Sequence, residues 1–233
     1  MTVWKNVVPA ASAQFDRKRE VLLREAAASF NRRGYHGTSL AEIARKLGVT
    51  KAALYTYVPS KEELLFHCHE SAMNTAFECL LKARAEGGSG LRRLTMTLRR
   101  YLELMLSEEG GYVLLLEENA MKPLHVRAIV KRRDQFEHGL RQLVVEGIAD
   151  KSIVACNPKL AVFMALGALN WSRKWYRPNG NWTGPQIAFA LTQMLERSLS
   201  SGPVAGLVED PARADLLEPI ATVPARKSRR QPA

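Results

Sequence analysis

Between residues 38 and 61 the chain places hydroxyls, ammonium groups and phenols close together: Thr38, Ser39, Thr50, Lys51, Tyr55, Tyr57 and Lys61. Hydroxyls and ammoniums suit contacts to phosphate oxygens, which position a protein on a polyanion without reading its sequence. Other chemistries find less support. Serine, histidine and aspartate are present, yet no nucleophile elbow or metal motif brings them together. His67-Cys68-His69 has the look of a metal cluster. On a helix, however, residues two apart point to different sides, so the histidines do not converge on one ion. A core cysteine flanked by partly exposed histidines is the reading taken. Gly87-Gly88 lacks the Lys-Ser/Thr sequel of a phosphate loop. The expectation is a chain without catalytic residues, metal or cofactor, and not an enzyme.

Short helices must present the groups between 38 and 61. From Asp16 onward, Leu22, Leu23, Ala26, Ala27 and Phe30 form one apolar stripe at helical spacing, and Gly34 stops it as a C-cap. Thr38-Ser39-Leu-Ala-Glu42 has the pattern of a helix start with a capping box. Leu40, Ile43, Ala44 and Leu47 give that helix its buried face, and Gly48 is a turn residue able to take positive φ. Thr50 caps a second short helix, from Lys51 to about Val58, which Pro59-Ser60 ends. Two short helices about a Gly-Val turn are what a helix-turn-helix requires. The first braces the second, whose N-terminal residues meet base edges in the major groove. The positive N-terminus of the next helix, opened by Ser60-Lys61-Glu62-Glu63, can hold a further phosphate. A helical hairpin whose tyrosines merely cover a core is the plainer alternative.

The remaining chain keeps a helical period. One long helix runs to about Arg84, with Leu64, Leu65, Cys68, Ala72, Ala76, Cys79 and Ala83 facing inward. After a loop at Gly87-Gly88-Ser89-Gly90, helical patterns cover 91–106, 126 to about 148, 158 to about 175, and 187–199, with Gly110-Gly111 and Pro123 as punctuation. Asn157-Pro158 reads as an N-cap followed by a proline at the first helical position. No strand alternation and no repeat appear, so about nine helices make an all-α protein. The expected organisation is a flexible arm over 1–15, a helical unit over 16–65 that holds the helix-turn-helix, a larger helical region over 66–201, and a disordered basic tail over 202–233.

Composition narrows the partner. The 233 residues carry a formal charge of +11, and 46% of them are hydrophobic. Such a balance suits nucleic acid first and an anionic membrane second. Residues 1–65 carry +5, residues 66–201 another +5 and the tail +1, so charge is densest in the N-terminal quarter. Three cysteines without framework spacing fit a reducing compartment. There is no apolar leader and no apolar run of the roughly 18 residues that a membrane helix needs. The expected location is cytoplasmic.

The run Gly34-Tyr-His-Gly-Thr38-Ser39-Leu-Ala-Glu-Ile43-Ala44-Arg-Lys-Leu47-Gly48-Val49-Thr50-Lys51-Ala-Ala-Leu54-Tyr55-Thr-Tyr57-Val-Pro-Ser60-Lys61-Glu-Glu-Leu64-Leu65 resembles the N-terminal domain of the TetR family of regulators. Glycines, apolar positions, caps and the aromatic pair all coincide over about 50 residues. Ser29, where the family usually has an apolar residue, and Val58, where it usually has Phe, are the departures. The resemblance implies a helix-turn-helix three-helix DNA-binding domain over 16–65 and a helical ligand-binding and dimerisation domain over 66–201, working as a homodimeric repressor on a palindromic operator in a bacterium, nucleoid-associated when bound there. It implies that Thr50 and Lys51 begin the recognition helix, that Tyr55, Tyr57 and Lys61 reach phosphates, and that Thr38 or Ser39 touches another. Ala52 and Ala53 leave few polar side chains for base reading, so thymine-methyl contacts and shape readout are expected. The two recognition helices would sit roughly 34–36 Å apart.

A second run, Leu166 to Thr183, resembles a signature of one TetR subgroup whose members regulate fatty-acid, branched-chain or steroid-ring breakdown and respond to acyl-CoA thioesters. It implies an acyl-CoA effector. Its phosphates call for arginine or lysine, and Arg99, Arg127, Lys131, Arg173 and Arg177 are candidates, with Trp171 beside them. A solvated basic face is the plainer account of the arginines. Phe163, Gly167, Trp171, Trp175, Leu191 and Leu195 are the expected dimer contacts of the last two helices. The rivals are a multidrug sensor, an activator or nucleoid-type binder, and, more remotely, an enzyme.

Overall fold

A computed structural model of the chain describes residues 11–107 and 118–203. The first ten residues of the arm, the Gly110-Gly111 punctuation and nearly all of the basic tail lie outside the described residues. Among those described there are eight α-helices and one 3-10 turn, where about nine helices were expected. They are α1 (Ala11–Arg33), α2 (Leu40–Leu47), α3 (Lys51–Leu54), α4 (Lys61–Glu86), α5 (Gly90–Leu106), α6 (Pro123–Ala149), α7 (Pro158–Trp175) and α8 (Gly184–Leu199).

Local chemistry sets most boundaries. Ser39, Thr50, Ser60 and Ser89 each accept a hydrogen bond from the backbone N–H three residues on, and Asn157 accepts from Lys159 and Leu160. Each such cap is worth about 1 kcal/mol. Gly48 closes α2 in the left-handed region, at φ 68°. Two starts lie earlier than the hydrophobic period alone places them. Pro123 heads α6, and Gly184-Pro185 head α8, which opens on a reciprocal capping box between Thr183 and Gln186. Both prolines sit where a missing N–H costs nothing. α1 also begins within the expected arm, at Ala11, and the Phe15 ring stacks on Tyr57 at 4.7 Å.

Two apolar cores result. The head core joins Leu22, Phe30, Ile43, Leu54, Val58, Leu64 and Cys68, and it takes in Met121 and Ile129 from far along the chain. The expected boundary at residue 65 is therefore crossed by α4 and by the start of α6. The second core is built around α5, which packs on α4, α6 and α8. α5 and α6 meet at two glycines: a Cβ on Gly90 would lie 2.2 Å from the Gly147 backbone nitrogen.

Candidate nucleic-acid interface and effector cavity

α2 braces α3 through Ile43, Ala44 and Leu54, all buried. This leaves Thr50, Lys51, Ala52 and Tyr55 exposed on one small surface. The Thr50 hydroxyl accepts from Ala53 N–H at 3.2 Å. Lys51 Nζ lies 5.8 Å from the centre of the Tyr55 ring, which is 47% exposed. α3 is four residues long where about eight were expected; Tyr57 and Val58 N–H both turn back to the Leu54 carbonyl. Tyr57 is half-buried because Phe15 covers it, a long-range partner that no local pattern announces.

Two of the residues assigned to phosphate contacts have inward duties. Thr38 is only 2% exposed, and its hydroxyl donates to the carbonyls of Ser29 and Gly34. Its neighbour Ser39 is the one at the surface. The ammonium of Lys61 donates to the carbonyls of Tyr35 (2.9 Å) and Thr38 (3.0 Å) and lies 4.0 Å from the centre of the Tyr35 ring. Lys61 thus clasps the loop between α1 and α2. Ser39 forms the forward half of the expected capping box, while the Glu42 carboxylate pairs with Arg33, which holds its carboxyl below the ordinary range. Ser29 is buried but served: its hydroxyl donates to Glu25 and accepts from Lys46.

The head is tied to α6 as well as to α4. Glu62 accepts the Lys122 backbone N–H at 2.7 Å and lies 3.1 Å from His125 Nδ1. The Lys122 N–H and the positive charge beside it keep the Glu62 carboxyl below its usual value. The His125 ring stacks on Phe66 at 4.2 Å.

Beyond this junction, α4, α5, α6 and α7 line a partly open cavity of about 320 Å³, within the range of small-molecule sites. Its apolar wall is Ala72, Met73, Tyr101, Phe136, Phe163 and Leu166, and its polar groups are His69, Arg133, Asp134, Glu137 and Asn170. A second, more open groove shares Asp134, Glu137 and Phe163 with it and adds Lys131, His138, Arg141 and Lys159.

Of the residues expected to hold an effector, Lys131 lines this groove. Arg99, Arg127, Arg173, Arg177 and Trp171 line neither the cavity nor the groove. Arg99 pairs with Glu103 and lies over the Phe189 ring; Arg173 Nη1 donates to the Met105 carbonyl at 2.6 Å, tying α7 to the end of α5. Burial lowers the Arg173 guanidinium from its ordinary value. His69, expected to be partly exposed, is 2% exposed. It falls four residues from both Leu65 and Met73, on the inward stripe of α4, and that spacing was the available signal. The Cys68 thiol donates to the Leu23 carbonyl, and burial raises it far above the thiol range.

The surface expected to form a dimer is apolar and open. Leu160, Phe163, Met164, Trp171 and Trp175 are exposed along α7, with Trp171 at 64%, and Met194 is exposed on α8. A Cβ on Gly167 would meet nothing within 4 Å. Leu195 is instead buried in the core and Leu191 packs against it, so α8 offers Met194 where those two were expected.

Two family models match: "Bacterial regulatory proteins, tetR family" over residues 22–68, and "Tetracyclin repressor-like, C-terminal domain" over residues 87–199. Among curated relatives, the transcriptional activator FasR of Mycolicibacterium smegmatis is 28% identical over 116 residues, 50% of this chain and 53% of that one. The repressor KstR2 of the same organism is 23% identical over 184 residues, 78% of this chain and 90% of that one. The chain spans about half the length of FasR and 36% of that of a further curated relative from Bacillus subtilis. Among solved structures, AibR in complex with isovaleryl coenzyme A and operator DNA is 28% identical, with a TM-score of 0.65 over 76% of this chain and 96% of that one. These matched proteins are transcriptional regulators and not enzymes. With both halves matched in order by models of one family, on a fold of the same kind, the chain belongs to the TetR family of bacterial regulators.

Proposed function

We propose that the protein is a homodimeric, ligand-responsive repressor of fatty-acid, branched-chain or steroid breakdown genes, released from a palindromic operator by an acyl-CoA thioester. The observation that carries ligand response is the placement of the cavity. It lies between α4 and α6, the same two helices that enter the head core through Leu64, Leu65, Cys68 and Ile129. A ligand that prefers one spacing of these helices biases the head, and it releases DNA only if it binds the DNA-incompetent state better.

The thioester itself is supported by AibR, whose complex holds isovaleryl coenzyme A. The cavity volume amounts to roughly ten water-sized groups at ~30 Å³ each. That is room for a short acyl group, with the nucleotide left outside. The adjacent groove offers Lys131, Arg141 and Lys159 to its phosphates, although Asp134 and Glu137 offset part of that charge. Operator contact would come from Ser39, Thr50, Lys51, Ala52 and Tyr55, and the dimer from the exposed face of α7.

One observation favours a second reading. Three aromatic rings and two carboxylates line the cavity, a lining suited to a cationic drug, although Arg133 stands against it. A gel-shift titration on the DNA upstream of the protein's own gene separates these readings. Specific binding released by isovaleryl-CoA is the expected result. Release by a cationic dye such as rhodamine 6G, and not by thioesters, would replace the effector. Absence of specific binding would overturn the regulator reading.

A further inference from the structure

His69 sits on α4 between Cys68, which belongs to the head core, and Met73, which belongs to the second core. Its Nε2 is buried without a hydrogen-bond partner among the described residues. Glu137 Oε1, on α6, is in the same condition. Both residues line the cavity of about 320 Å³. Buried polar atoms are rarely left unpaired, because their lost hydration is then uncompensated. Both atoms belong to residues that line one cavity, so an occupant that reached them would supply the partners they lack.

Their chemistry constrains that occupant. Burial, with the Arg133 charge beside it, holds the His69 imidazole down to about 3. The ring is therefore neutral at physiological pH, with one N–H and one bare nitrogen. Arg141 engages Glu137 Oε2 through Nη2, while its Nε and Glu137 Oε1 are both left without a partner among the described residues, so Oε1 remains an acceptor. A hydroxyl answers both residues in the tautomer that carries the proton on Nε2: it donates its one proton to the carboxylate oxygen and accepts from the imidazole N–H. A hydrocarbon answers neither. A carboxylate brings like charge to Glu137.

We propose that His69 and Glu137 are the polar recognition pair of this cavity and that they select an effector whose apolar portion bears a hydroxyl group. This rests on the cavity being the effector site, and not on the effector being a thioester. The pair spans α4 and α6, so a hydroxylated ligand bonded to both fixes the spacing of the helices that carry the head.

The test uses 2-indanol and indane, a matched alcohol and hydrocarbon of suitable bulk, with the full-length protein carrying 15N-labelled histidine. Calorimetry should show 2-indanol binding about tenfold or more tighter than indane, as one buried hydrogen bond to a charged group implies. The His69 side-chain nitrogen resonance, assigned by its loss in His69→Asn, should shift with the alcohol. Glu137→Leu and His69→Asn should each reduce the preference. If either variant fails to fold, the wild-type affinities and the His69 shift still decide. Equal affinities, no binding of either probe, or an alcohol preference that leaves His69 unmoved would overturn the proposal. Thioester-driven operator release without alcohol preference would overturn it and leave the proposed function standing. Alcohol preference without any thioester response would support it and remove the thioester.

Discussion

Lys61 and Tyr55 illustrate how two side chains of one surface differ in what they hold. Tyr55 is exposed and has Lys51 as its neighbour, whereas Lys61 joins two loop carbonyls from the first turn of α4. Tyr55→Ala should weaken binding to every DNA sequence alike and leave the thermal midpoint within about a degree, as expected of surface changes. Lys61→Ala should weaken binding and also lower stability by about 1–2 kcal/mol, because two loop carbonyls lose a charged donor. Gel shifts at several salt concentrations, paired with thermal melts, distinguish the two; equal melts for both variants would return Lys61 to a purely phosphate-binding role.

His69 makes a prediction of its own. Its pKa falls from 6.5 in the unfolded chain to about 3 in the folded protein, from burial first and Arg133 second. Below pH 6.5 the unfolded state therefore binds a proton that the folded state refuses. The stability is complete above pH 6.5 and is lost as pH falls toward 3, by up to about 1.4 kcal/mol per unit. Asp134 and Glu137 line the same cavity as His69. The lowered carboxyls of Glu42, Glu62 and Asp150 also release stability in acid, but only below their ordinary values near 4. Urea unfolding at pH 7 and pH 5.2 should show the wild type losing about 1–2 kcal/mol more than His69→Asn. Parallel losses would mean that His69 takes up its proton without hindrance.

Among the elements, α4 and α6 are the ones that serve both cores. α4 has 26 residues, about 39 Å at 1.5 Å per residue. Where α6 crosses α5, the helices touch backbone to backbone at Gly90 and Gly147. Gly90→Ala should force them apart and cost about 1–3 kcal/mol or more. Gly167→Ala, in space on α7 that only a second copy would fill, should leave the subunit fold intact and raise the helix stability of the dissociated subunit by up to about 1 kcal/mol. Denaturant midpoints of the two variants moving in opposite directions would confirm the contrast.

The elements also show what was legible beforehand. Caps and apolar stripes are local, so Ser39, Gly48, Thr50 and Asn157 marked their helix ends correctly. The residues that misled have partners far along the chain. Thr38 bonds to Ser29, nine residues back; Lys61 reaches 26 residues back to Tyr35; Arg173 reaches 68 residues back to Met105. Which arginine faces a cavity is set by such packing, and charge alone is silent on it. His69 could have been placed by its register with Leu65 and Met73, had its spacing been weighed above its polarity.

At the scale of the whole molecule, α7 exposes five large apolar side chains along one helix, and contiguous exposed apolar patches are what protein contacts are made of. Two copies meeting through Leu160, Phe163, Met164, Trp171 and Trp175 would make an isologous interface, which a palindromic operator mirrors. Trp171→Asp should yield a folded monomer in analytical ultracentrifugation, with operator affinity reduced at least tenfold because two half-sites no longer share one ligand. A variant that stays dimeric and binds normally would move the interface off this face.

The placement of Trp171 and Trp175 also has a spectroscopic consequence. They are two of the chain's four tryptophans, and both stand in solvent. Indole emission moves to shorter wavelength when water is removed from the ring. Half of the tryptophans therefore lie where a second subunit would cover them, so a simple dilution series of the unlabelled protein, read as a red shift of indole emission, would report its own subunit dissociation.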